Sequence, residues 1–145
     1  MKPLPHRYEV RLHGAADGYA TLSVRGIPEL RSAPPEDFDG PGDAWSPEHL
    51  LLAAVETCFL FTLRAVAAAS RISFTRLDLD VDATVDRKDG VTRFTEIVLR
   101  ARLAIAAGAD HERAKRAMEK AEKACLISAS LAVPIHLVPE IVENA

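Results

Sequence analysis

The chain has 145 residues, 48% of them hydrophobic and 27% charged, with a formal net charge of −3. That length fits one domain, residues 1–145, with a sizeable core. A net acidic balance with no basic face excludes a nucleic-acid partner, and the opening MKPLPHRYEV has no apolar h-region, which argues against a secretory signal and for a cytoplasmic protein.

Residues 7–13 (RYEVRLH) and 19–24 (YATLSV) read as short strands, joined by Gly14-Ala15-Ala16-Asp17-Gly18, a turn with hairpin chemistry. Residues 32–47 hold four prolines and two glycines and form a loop whose large aromatics are Phe38 and Trp45. Ser46-Pro47-Glu48 marks a helix start: serine caps, proline suits the first helical position, and a carboxylate favours the N-terminal dipole. This helix should run from 47 to about 70. Within it LLLAAVETCFLFTLRAVAAA is as long as a bilayer requires, but Glu56 and Arg64 lie in its interior, where a membrane makes charge costly. No membrane is expected; a helix apolar nearly all round belongs in a core or at a subunit interface.

Residues 77–86 (LDLDVDATVD) alternate apolar and polar without exception, the pattern of a half-buried strand. Arg87-Lys88-Asp89-Gly90 is a turn, and 91–105 a second long strand whose apolar phase changes near Phe94, where a bulge is expected. Gly108 and Asp110 open a helix over 111–125, with Ala114, Ala117, Met118, Ala121, Ala124 and Cys125 on one stripe. Residues 134–142 (PIHLVPEIV) give a last strand, an edge because of Pro139. The class is α+β. One sheet covers one side of the long helix, so its other side is expected to meet a second copy of the chain.

Chemistry rests on two cysteines, Cys58 and Cys125. No CxxC is present, which excludes thioredoxin chemistry and zinc ribbons. One thiol points inward from each helix. Such a pair suits peroxide reduction, in which one thiolate attacks the O–O bond, becomes a sulfenic acid and condenses with the second thiol. Two small hydrophobes filling a core fit the spacing as well. Asp78, Asp80 and Asp82 resemble the start of a calcium loop, but Ala83 stands where glycine is needed, so they read as a solvated strand face. The five histidines have no i, i+4 pair, so no metal is expected, and Ser128 and Ser130 have no triad context.

The run Pro47-Glu48-His49-Leu50-Leu51-Leu52-Ala53-Ala54-Val55-Glu56-Thr57-Cys58 resembles the PE-x-L-x-x-A-A-x-x-x-C helix of OsmC and Ohr proteins. Gly40-Pro41-Gly42 precedes it, as a glycine-rich loop does in that family, and Ala121 to Ser128 resembles the family's A-x-x-x-C-P-x-S segment. The resemblance implies an OsmC-like α+β fold: an antiparallel sheet, a long central buried helix and an intertwined homodimer. It implies thiol-dependent reduction of a small apolar hydroperoxide, with Cys58 the peroxidatic cysteine, Cys125 the resolving one, an external thiol or dithiol as reductant, and no cofactor. Val55, Phe59, Leu60 and Phe61 around Cys58 favour an apolar substrate. Glu48 matches the family's helix-start glutamate. Ten residues of helix put it about 15 Å from Cys58, so it would act at a site shared across the dimer; otherwise it is a helix-dipole residue.

Three positions depart from the family. Ala16 stands where its hairpin arginine should lower the thiol pKa, Glu56 where a small residue is usual, and Leu126 where proline follows the second cysteine. Arg11, Arg25 and Arg31 lie nearby in sequence; a substitute cation is expected, with the role assigned to none of the three. The alternative to peroxidase activity is a non-catalytic dimer that binds a small apolar ligand.

Overall fold

A computed structural model describes residues 1–144, which divide into two units, Met1–Leu51 and the stretch from Leu52 onward. In the first unit β1 (Arg11–His13), β2 (Ala20–Val24) and β3 (Ile27–Ser32) form an antiparallel sheet in that order. β1 is shorter than the expected strand, with Tyr8 and Val10 exposed before it. β3 was not expected, because Pro28 and the lack of alternation hide it. Gly26 produces it: at φ 80° it adopts the left-handed conformation a tight turn requires, and Val24 pairs with Ile27 across Arg25-Gly26.

The loop that follows is closely packed. Gly40 lies so near the Pro34 carbonyl that no β-carbon fits, and its N–H donates to Pro35 O at 2.9 Å. Ser46 then caps the long helix α1 (Pro47–Ser70): its Oγ accepts from the His49 N–H at 3.1 Å and hydrogen-bonds His49 Nδ1 at 2.7 Å.

α1 continues into the second unit, where β4 (Arg76–Lys88), β5 (Val91–Ile105), α2 (His111–Ala124), α3 (Leu126–Ala129) and β6 (Ile135–Glu143) follow. Asp89 and Gly90, both at positive φ, turn β4 into β5. Thr84 pairs with Glu96 but Val85 with Phe94, so Thr95 is the extra residue of a bulge beside Phe94, where the phase change put it. The expected antiparallel pairing holds across β1–β3 and β4–β5. β6 differs: it runs parallel to β5, because the chain crosses over through α2 before pairing again. Pro139 does lie on an edge strand, since β6 ends the order β4-β5-β6.

Alternate residues of β5 (Leu99, Ala101, Leu103, Ile105) form the floor of one core with Phe59, Leu63 and Val66 of α1 and Ala114, Ala117, Met118 and Ala121 of α2. The opposite face of the sheet is solvated and ion-paired: Arg100 meets Asp82 at 3.1 Å and Arg102 meets Glu140 at 3.2 Å. α1 is long and apolar enough to cross a membrane, yet here one face is bedded in a protein core. Its other face is open within the chain. Thr57, Phe61, Arg64, Ala65 and Ala68 form an exposed stripe at helical spacing, with Phe61 58% exposed.

Candidate functional site

Cys58 stands one residue before the buried Phe59 on α1 and is half-buried. Cys125 is fully buried, but not as a residue of α2: that helix ends at Ala124, one residue earlier than its apolar stripe predicts, and Ala124 is exposed. Cys125 has extended backbone (φ −64°, ψ 116°) and joins α2 to α3, its carbonyl accepting from Ala129 N–H at 2.9 Å. The kink has a chemical consequence. The first N–H groups of α3 have no partner inside their own helix, and those of Leu126 and Ile127 help to lower the Cys58 thiol.

Both thiols are free, and each shifts the pKa of the other. Burial pushes the Cys58 thiol up, but the Cys125 thiol, the Ile127 N–H, the Thr62 hydroxyl (3.9 Å) and the Leu126 N–H all stabilise the thiolate, and the balance falls below the ordinary value. Cys125 moves the other way. Burial raises it, donation to Cys58 raises it further, and the Ser128 hydroxyl and N–H offset this only in part. The pair is thus asymmetric: a half-exposed thiol inclined to ionise beside a buried one inclined to keep its proton.

The groups that lower Cys58 within its own unit are neutral. Arg31 is engaged in its own unit, stacked 4.2 Å over the Tyr19 ring with Nη2 donating to Asp43 O at 3.1 Å. One of the neutral groups is the Leu126 N–H. Proline, usual at this position in the family, has no N–H to give. The exchange is testable because Cys125 already has the extended backbone that precedes proline, and proline suits a first helical position. Leu126→Pro should therefore fold and should raise the pH at which Cys58 is alkylated. An unchanged alkylation profile would rule out a role for this N–H.

Glu56, the second departure, is partly buried, and burial and then Asp80 push its carboxyl up; it is not among the groups that shift Cys58. Glu48 lies in the first turn of α1, in the N-terminal unit. Its Oε2 is buried without a hydrogen-bond partner among the described residues. It lines a cavity of about 360 Å³ whose other walls include Leu12, Ala20, Ala33, Pro35 and Phe38. Sequence reasoning missed Thr62, although i, i+4 spacing from Cys58 marks it. It also set Ser128 aside for want of a triad, whereas the Ser128 hydroxyl donates to Glu122 Oε2 at 3.5 Å.

Residues 40–139 match the family described as OsmC-like protein. The chain belongs to the OsmC-like family. Over 106 residues this OsmC-like protein is 29% identical to the uncharacterized protein YmaD of Bacillus subtilis (strain 168), covering 71% of each chain. Its fold is similar to that of an OsmC-like protein from Mycoplasma pneumoniae (TM-score 0.82, 18% identity, 96% of this chain and 99% of that one). It is also similar to an organic hydroperoxide resistance protein from Elizabethkingia anophelis crystallised with thiocyanate (TM-score 0.76, 23% identity, 99% and 100%). At these identities the structural likeness establishes the OsmC-like fold.

Proposed function

We propose that this OsmC-like protein is a thiol-dependent peroxidase that reduces organic hydroperoxides to alcohols, acting as a cytoplasmic homodimer of single-domain subunits. The observation that carries the proposal is the asymmetric, unlinked pair Cys58 and Cys125. The Cys58 thiolate attacks the terminal oxygen of the hydroperoxide and the O–O bond breaks. The alkoxide leaves with a proton as the alcohol, and Cys58 becomes a sulfenic acid. Cys125 attacks that sulfur, water leaves, and a disulfide remains for an external thiol or dithiol to reduce. Glu48 is assigned to the same site from the second subunit.

The exposed stripe of α1 supports the dimer, because a face with Phe61 in the open is one a second copy can cover. Sedimentation equilibrium at micromolar concentration should give about twice the 15.8 kDa chain mass; a monomer would remove the shared site. The activity is tested by peroxide consumption with a dithiol reductant, cumene hydroperoxide against hydrogen peroxide. The organic peroxide should be consumed faster, and no consumption of either would refute the proposal. A second function, binding of a small apolar ligand without turnover, is favoured by the Glu48 cavity, whose walls are mostly apolar. An inert Cys58 would shift weight to it.

A further inference from the structure

Glu48 is a carboxylate without a partner. Its Oε2 is buried and accepts no hydrogen bond among the described residues, and no ion pair reaches it there. Such an oxygen is unfavourable out of water unless a donor or a cation meets it. The walls of its cavity supply neither. Pro34, Pro35 and Pro47 have no N–H to give. The Ser32 hydroxyl and the Ala33 N–H both donate to Trp45 O, at 2.7 and 3.1 Å. None of the lysines and arginines of Met1–Leu51 is a wall. Arg31 is held at Tyr19 and Asp43, and Arg11 and Arg25 line a different cavity beside Glu9.

Charge points the same way. Met1–Leu51 holds eight acidic residues against five basic ones, while from Leu52 onward the two signs balance, so the chain's net charge of −3 lies wholly in this unit. Two of those acids, Asp17 and Asp39, line an adjoining cavity of about 520 Å³ that shares Gly18, Ala33 and Pro34 with the first. Ala16 lines it too, with no more than a methyl group. The walls nearest in kind to a ligand's hydrocarbon are Leu12, Ala20 and Phe38 beside Glu48. Leu12 and Phe38 are each more than half exposed, so the cavity is open to a ligand on that side.

We propose that this cavity binds a small organic cation, an ammonium group on an apolar body, with Glu48 as its counter-ion. At about 360 Å³ the cavity is at the small end for ligand sites. The ammonium brings the N–H donors that the walls lack, and its hydrogen bonds to a carboxylate are charge-assisted. The body covers Leu12, Ala20 and Phe38. A carboxylate ligand is repelled by Glu48, and a neutral one leaves the charge unmatched. The inference rests on the ligand-binding reading above and fixes the charge of the ligand; it does not require peroxide reduction.

Titration calorimetry on the reduced protein at neutral pH tests this with three probes of similar shape: 2-phenylethylammonium, 2-phenylethanol and phenylacetate. The ammonium should bind once per chain and at least about tenfold tighter than the alcohol, the advantage of a hydrogen bond to a charged group. Phenylacetate should give no binding heat. Glu48→Gln, which keeps the side-chain shape, should bring the ammonium down to the alcohol's affinity and leave the alcohol within about twofold of wild type, which also shows an intact cavity. Asp37→Asn removes an exposed carboxylate of the same unit that lines neither cavity, and it should leave binding unchanged. An equal loss in Asp37→Asn would mean general attraction to an acidic surface and would overturn the site. The wild-type probe series carries the test if Glu48→Gln fails to fold. Equal affinity for ammonium and alcohol would overturn the cation and leave an apolar-ligand site standing; binding of none of the three would overturn both.

Discussion

Cys58→Ser should abolish turnover of organic hydroperoxides, lowering kcat/KM by at least about 10³-fold, as loss of a nucleophile does. No second thiol can take over. Cys125 is buried and holds its proton, and the donors that stabilise a thiolate converge on position 58: the Cys125 thiol, two backbone N–H groups and Thr62. The fold should survive, because serine is nearly isosteric and Thr62 and Cys125 remain to hydrogen-bond it. Peroxide consumption with a dithiol, corrected for the reductant's own reaction, checks this. Activity within a few fold of wild type would assign the chemistry elsewhere.

Changes at Cys125 should have two separable effects. Cys125→Ala removes the strongest of the donors on Cys58. The sign follows directly: a hydrogen bond that stabilises a thiolate lowers its pKa, so losing it moves the pKa up, and each unit costs tenfold in thiolate at a pH below it. Alkylation of Cys58 near neutral pH should therefore slow, and its titration should shift to higher pH. Cys125→Ser keeps a donor and should leave alkylation closer to wild type. In both variants peroxide should oxidise Cys58 without closing a disulfide, so the sulfenic acid persists or is over-oxidised and turnover stops. Iodoacetamide kinetics across pH measure the first effect and mass spectrometry the second. Alanine and serine variants with the same alkylation profile would exclude the hydrogen bond from Cys125.

Much of this was legible in the sequence, and the misses have physical causes. Strict alternation over 77–86 located β4, and the apolar phase change near Phe94 located the bulge at Thr95, because side-chain periodicity is a direct record of which face is buried. β3 was invisible because its turn, Arg25-Gly26, carries none of the usual asparagine or aspartate and its strand begins Ile27-Pro28. The parallel pairing of β6 leaves no mark in its own residues; it follows from the crossover through α2. At the thiol pair, the two cysteines could be read from the chain. The donors could not, because two of them are backbone N–H groups exposed by the kink at Cys125, and a stripe analysis continued α2 through that residue. Within its own unit the groups that lower the Cys58 thiol are neutral, one of them available because Leu126 is not proline.

The most direct test of the central claim is the state of the two thiols after one equivalent of cumene hydroperoxide is added to the reduced protein. Thiol titration and peptide mass mapping should find both thiols lost together, one alcohol formed per chain, and a single intramolecular disulfide joining Cys58 to Cys125. Two free thiols with the peroxide unconsumed, or a disulfide between subunits in place of one within the chain, would contradict it.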